Sequence, residues 1–134
     1  MKYFFYCGAF FCLFLSGSVH ATDYTISNGT TQTSRVTLTN NDTLTVDNGG
    51  EIDYTWPAVD ADNRTFPAGT TTITNNGIIE GNCCVIDIRS STNPKLINNG
   101  TINGKSSSRT IYANNSVNAT IINNGDITIL GSSN

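Results

Sequence analysis

Trp56, Asp60 and Asp62 stand close together in residues 54–67, a segment that holds the only Trp of the chain and two of its three Pro. An indole in such a segment can stack on a sugar ring, and two carboxylates two positions apart can share a calcium ion. The competing role is packing, because inserted segments also use aromatic rings to cover the edge of a core. Asp47, Glu51 and Asp53 crowd the same region. A β-helical polysaccharide lyase or hydrolase would need paired acids on adjacent rungs of one face, with calcium or a basic side chain beside them. The acids of the more regular part, Glu80, Asp87 and Asp126, fall at unrelated positions of its repeat. No catalytic residue is therefore assigned, and an enzyme is not expected.

Cys83 and Cys84 form the second chemical candidate. Adjacent Cα atoms lie about 3.8 Å apart, below the usual disulfide range, so a bridge between them would be strained. The pair reads as a possible disulfide, as a link to another chain, or as one small core residue beside an exposed partner. Two cysteines without histidine make a poor zinc site, and no metal or cofactor is expected.

The amino end removes further chemistry. Lys2 precedes an apolar run over residues 3–15, followed by Ser16-Gly17-Ser18-Val19-His20-Ala21. This is the charged, apolar and small-x-small sequence of a Sec signal peptide cleaved after Ala21. About 13 apolar residues fall short of the roughly 20 that a spanning helix needs, so no membrane insertion of the mature chain is expected. Cleavage removes Cys7, Cys12 and His20, the single His. Without imidazole, Ser-His-Asp and Cys-His nucleophiles are excluded. The chain carries 7 basic and 10 acidic side chains, a net charge of −3 that becomes more negative once Lys2 is lost. A nucleic-acid partner is excluded on that balance.

The elements that must position these residues are legible in a repeat. Ile73-Thr74-Asn75-Asn76-Gly77-Ile78-Ile79-Glu80-Gly81 aligns without gaps with Leu96-Ile97-Asn98-Asn99-Gly100-Thr101-Ile102-Asn103-Gly104 and with Ile121-Ile122-Asn123-Asn124-Gly125-Asp126-Ile127-Thr128-Ile129. The Asn-Asn-Gly units recur 23 and then 25 residues apart. Ile86-Asp87-Ile88 matches Ile111-Tyr112-Ala113, so the extra length falls at the corner around residues 105–109. Short β-branched runs punctuated by Gly and Asn suit a coil of strands rather than helical repeats. An antiparallel hairpin array also uses Asn-Gly turns, but it leaves the gap-free similarity over a whole period unexplained.

The expected fold is all-β, a right-handed parallel β-helix of about four short rungs. Residues 22–35 are read as an amino-terminal cap, the rest of 22–70 as irregular first rungs with a loop at 54–67, and 71–134 as the regular rungs. Ile73, Asn75 and Ile79 face inward with their counterparts Leu96, Asn98, Ile102 and Ile121, Asn123, Ile127. Asn75, Asn98 and Asn123 are expected to form a ladder of amides. Asn76-Gly77, Asn99-Gly100 and Asn124-Gly125 are the turns, with each Gly expected at positive φ.

The exported start, the Thr-rich opening and the recurring Asn-Asn-Gly-x-Ile and Gly-x-Ile-x-Gly phrases resemble the passenger region of bacterial autotransporters, the type V secretion proteins. The resemblance spans nearly all of residues 22–130. It implies a pectin-lyase-like β-helix with a non-catalytic role in adhesion or as surface scaffold, recognising a host or bacterial surface ligand. It also implies a translocator β-barrel as a partner. No room exists for such a barrel in this sequence, so the chain reads as a truncated or split product. The leader alone takes it to the periplasm, and a full-length relative would reach the outer membrane and cell surface. The alternative is a fragment of a β-helical lyase or hydrolase acting on acidic glycans.

Overall fold

The computed structural model describes residues 21–105 and 109–129. Most of the expected leader, the centre of the variable corner and the last five residues lie outside that description.

No helix occurs among the described residues, and every strand pairing is parallel. One sheet gathers β1 (Asp23–Ile26), β4 (Thr43–Val46), β7 (Ile73–Asn75), β10 (Lys95–Asn98) and β13 (Thr120–Asn123). A second gathers β2 (Thr31–Gln32), β5 (Glu51–Asp53), β8 (Ile78–Gly81), β11 (Thr101–Gly104) and β14 (Asp126–Ile129). The third holds β3 (Val36–Thr37), β6 (Val59–Asp60), β9 (Ile86–Asp87) and β12 (Ile111–Tyr112). Every third strand returns to the same sheet, so the chain winds as a parallel β-solenoid of about four turns.

Strands of two to four residues cannot bury a face alone; the register between turns does it for them. Leu44, Ile73, Leu96 and Ile121 stack in one column, and Ile52, Ile79, Ile102 and Ile127 in another. Val36, Val59, Ile86 and Ile111 form the third. Three aliphatic columns meet along the axis as one continuous core, closed at corners by Leu38, Phe66 and Ile88. Alternation along each strand sends the intervening residues outward, which is why Thr74, Glu80 and Asn103 keep contact with water. On the last rung the inward positions remain occupied by apolar residues, but nothing described stacks beyond them. Ile121 is 44% and Ile127 38% exposed.

Two expectations about the amino half are corrected. Residues 22–35 are not a separate cap, because β1 and β2 pair in register with β4 and β5 and extend the same sheets. Residues 54–67 are irregular for most of their length, as expected of a loop, but they belong to the coil and do not stand clear of it. They carry β6, which lies between β3 and β9, and Ala58, Val59, Ala61 and Phe66 are buried. The offset between turns changes here, with Leu44 opposite Ile73 and Asp60 opposite Asp87, so a period taken from the later rungs slides past these pairings.

Candidate functional site

The inner corner of the solenoid is held by amides. Asn75 Nδ2 donates to Asn98 Oδ1 at 2.8 Å, and Asn98 Nδ2 donates to Asn123 Oδ1 at 2.7 Å. Asn75 Nδ2 also reaches the Thr101 carbonyl at 3.0 Å, and Asn98 Nδ2 that of Asp126 at 3.1 Å, so the ladder stitches the first sheet to the second. A second ladder runs outside it in the opposite sense. Asn99 Nδ2 donates to Asn76 Oδ1 and Asn124 Nδ2 to Asn99 Oδ1, each at 2.9 Å.

The glycines after these pairs serve a different purpose from the one expected. Gly77, Gly100 and Gly125 do not lie at positive φ, which among the described glycines is confined to Gly29, Gly49 and Gly69. A Cβ on Gly100 would sit 2.1 Å from the Gly77 carbonyl oxygen, and one on Gly125 equally close to that of Gly100. Hydrogen on Cα is what lets successive backbones approach at this corner.

Chemistry that could act on a ligand concentrates on the outer face of the third sheet. Val36, Val59, Ile86 and Ile111 point inward, which places Thr37, Asp60, Asp87 and Tyr112 outward and in register on successive turns. Asp87 is covered by Arg89, whose Nε lies 2.9 and 3.0 Å from its two oxygens and whose Nη2 lies 2.7 Å from Oδ2. This chelation raises the Arg89 pKa above its ordinary range, so the guanidinium stays charged. Arg89 and Arg109 both lie over the Tyr112 ring, at 4.7 and 4.6 Å from its centroid.

Beside them, Arg35 Nη1 contacts Asp60 Oδ2 at 3.3 Å and Nη2 donates to the Trp56 carbonyl at 2.8 Å. Asp62 Oδ2 lies 3.6 Å from Arg89 Nη2, and its backbone N–H donates to Asp60 Oδ1 at 3.2 Å. Together with Pro57 and Trp56, these side chains line a cleft of about 220 Å³. Trp56 is 58% exposed at its wall.

Trp56, Asp60 and Asp62 therefore meet in one cleft, Asp60 on β6 and the other two in the turns that flank it. Their carboxylates face guanidinium groups, and this arrangement does not suit a shared calcium ion: one Asp60 oxygen is held by Arg35 and the other by the Asp62 N–H. Arg35, Asp87 and Arg89 are the cleft residues that the sequence did not reveal. Glu80, Asp87 and Asp126 do fall at unrelated positions of the regular rungs, but Asp87 lies opposite Asp60 and Glu80 opposite Asp53 of the preceding turn.

On the second sheet, Glu51, Asp53 and Glu80 bring oxygens within 4.8 Å of one another. Lys105 Nζ bridges Asp53 at 2.7 Å and Glu80 at 2.9 Å. Lys105 and then Asn103 hold the Glu80 carboxyl below its usual range, and Asp53 with Glu80 raises the lysine. The cluster thus contains its own cation.

Cys83 and Cys84 turn the corner between β8 and β9. Their sulfurs lie 3.2 Å apart, with Cys84 buried and Cys83 half-buried. Burial, then the contact with Cys83, pushes the Cys84 thiol up.

Comparison with protein-family models, curated proteins and solved structures gives no match.

Proposed function

We propose that the chain is a non-catalytic exported solenoid of the autotransporter-passenger type, an adhesion or surface-scaffold element that binds a glycan in the Trp56 cleft. The observation that carries this reading is an exposed indole beside charged side chains that are already paired with one another. A sugar ring has an apolar C–H face, which stacks on an indole, and a rim of hydroxyls, which bond to the free lone pairs and N–H groups of Asp and Arg. Pairing within the cleft keeps its carboxylates and guanidiniums in place without a ligand, which suits recognition by a rigid surface. Export is supported by the leader pattern, which accounts for delivery to the periplasm; display on the outer membrane would need a translocator barrel as a partner.

One observation favours the second reading, a polysaccharide lyase or hydrolase. Asp60 and Asp87 lie opposite each other on adjacent turns, roughly 4.8 Å apart at the backbone, near the carboxylate spacing of retaining glycosidases. Against it, both Asp87 oxygens accept bonds from Arg89, and Arg35 contacts Asp60, so both acids are already engaged with guanidinium groups.

Titration of the full chain with a panel of neutral and acidic polysaccharides, read by calorimetry, tests both. Saturable binding is expected, with Trp56→Ala weakening it at least about tenfold, or about 1.4 kcal/mol. The same polysaccharides, incubated with and without calcium, should yield no new reducing or unsaturated ends. Turnover would establish the enzyme instead, and failure to bind any glycan would remove the adhesion reading.

A further inference from the structure

Adjacent residues in an extended chain point their side chains to opposite sides. Cys83 and Cys84 do not, because Cys84 adopts φ = +51°, in the left-handed region. Among the described residues, the other non-glycine positions there are held by Asn or Ser, whose short polar side chains can bond locally to the backbone. Cys84 has no such excuse, and the neighbouring turns hold it in place. Its N–H donates to the Arg109 carbonyl at 2.7 Å, and the carbonyl of the next residue, Val85, accepts from the N–H groups of Ala58 and Val59, both at 3.0 Å. The corner is pinned from both sides in a backbone state that brings the two sulfurs to 3.2 Å.

We propose that Cys83 and Cys84 form a thiol–disulfide exchange site, which closes to a vicinal disulfide when offered a small-molecule disulfide and reopens with a dithiol. Cys83, the more accessible of the two, loses its proton to solvent and attacks one sulfur of the reagent R–S–S–R. The reagent's S–S bond breaks, one R–S⁻ leaves and takes up a proton, and Cys83 carries R–S as a mixed disulfide. The Cys84 sulfur, already 3.2 Å away, then attacks the Cys83 sulfur and expels the second R–S⁻, its own proton again passing through solvent. Two thiols of the protein are oxidised and one reagent disulfide is reduced to two thiols.

The roles follow from position. Cys84 is buried and does not meet the reagent, and its raised pKa leaves it a thiol until the mixed disulfide forms beside it. Closure draws the sulfurs from 3.2 Å to about 2.05 Å. The Cα spacing of about 3.8 Å lies under the usual range for a bridge, so the ring is strained and readily reduced, as suits an exchange site better than a structural link. The Trp56 indole lies close enough to the Cys84 thiol to influence it, so closure alters the surroundings of a residue at the wall of the cleft. The exchange itself stands whether or not the cleft binds a glycan.

The test uses the full chain with Cys7→Ser and Cys12→Ser, leaving Cys83 and Cys84 as the two remaining of the 4 cysteines. With excess oxidised glutathione, the native monomer should lose about 2 Da and all reaction with an alkylating agent, and dithiothreitol should restore both. Emission from the single Trp should change in step with the mass. With Cys84→Ser added, the reaction should stop at a glutathione adduct on Cys83, and with Cys83→Ser the native chain should not react. If either variant fails to fold, the mass of the 83–84 peptide from the parent still decides. Disulfide-linked dimers, a lasting adduct in the parent, or no reaction in the native state would each overturn the proposal.

Discussion

Replacing Asn98 by Ala tests whether the inner amide ladder supports the stack. The Asn98 side chain is fully buried; it accepts from Asn75 at 2.8 Å and donates to Asn123 at 2.7 Å and to the Asp126 carbonyl at 3.1 Å. Truncation removes these three bonds and a longer fourth, from Asn98 Nδ2 to the Gly100 carbonyl at 3.4 Å. Asn75 keeps its bond to the Thr101 carbonyl, while Asn123 is exposed at the last rung and can bond to water instead. The loss is therefore about 1 kcal/mol for the bond that lies wholly in the interior, about 1 for the other three together, and about 1 for the vacated space. Asn123→Ala removes the same kind of side chain from a wetted position and should cost only about 0.5–1 kcal/mol. In urea, followed by far-ultraviolet circular dichroism, slopes near 1.5 kcal/mol/M turn these losses into midpoint shifts of about 2 M and about 0.5 M. Equal shifts for the two variants, or less than about 1 kcal/mol lost by Asn98→Ala, would falsify the view that buried amides hold the turns together.

The glycines allow a sharper contrast. Gly100→Ala places Cβ 2.1 Å from the Gly77 carbonyl oxygen and should cost about 4 kcal/mol or prevent folding, whereas Gly29→Ala meets open space and pays only for φ = +75°, about 1 kcal/mol. Thermal melts of the pair decide between close approach and backbone conformation, and the first account fails if Gly100→Ala melts no lower than Gly29→Ala. The third prediction concerns pH. Burial alone would raise the Asp42 carboxyl, but the N–H groups of Thr22 and Thr39, the Thr39 hydroxyl and the charge of Arg64 outweigh it and hold it below its ordinary value. A folded-state pKa below the unfolded one adds stability that is present above the unfolded value and is lost as pH falls through the folded value. Asp42→Asn should therefore destabilise by about 1–2 kcal/mol at neutral pH, with the gap to the parent closing below about pH 4. A gap that is constant with pH would show that the charge plays no part.

The half of the fold after Ile73 could be read almost residue by residue. Its turns repeat at nearly constant length, and inward Ile, Leu and Asn recur at the same step in each copy. Before Ile73 the chain obeys the same packing rule with different corner lengths, so β1, β2 and β6 were hidden behind an apparent cap and loop. In the cleft, Trp56, Asp60 and Asp62 were visible as an unusual concentration of residue types. Their partners Arg35, Asp87 and Arg89 were not, because each lies about one turn away in sequence and no repeat was visible there to align Arg35 with Asp60, or Asp87 and Arg89 with Asp60 and Asp62. The glycines make the same point differently. Their spacing was evident, but whether Gly100 answers to φ or to a neighbouring carbonyl depends on what the preceding turn places against it.

By itself, the sequence determined that short aliphatic strands stack in parallel around an asparagine corner, since only a repeated inward pattern buries enough apolar surface for so polar a chain. The tertiary structure decided which charges meet, which sulfurs touch and which rung lies open. Burial imposes a period on the side chains of the core, whereas outward side chains follow none. Their neighbours are set by the length of every corner between them.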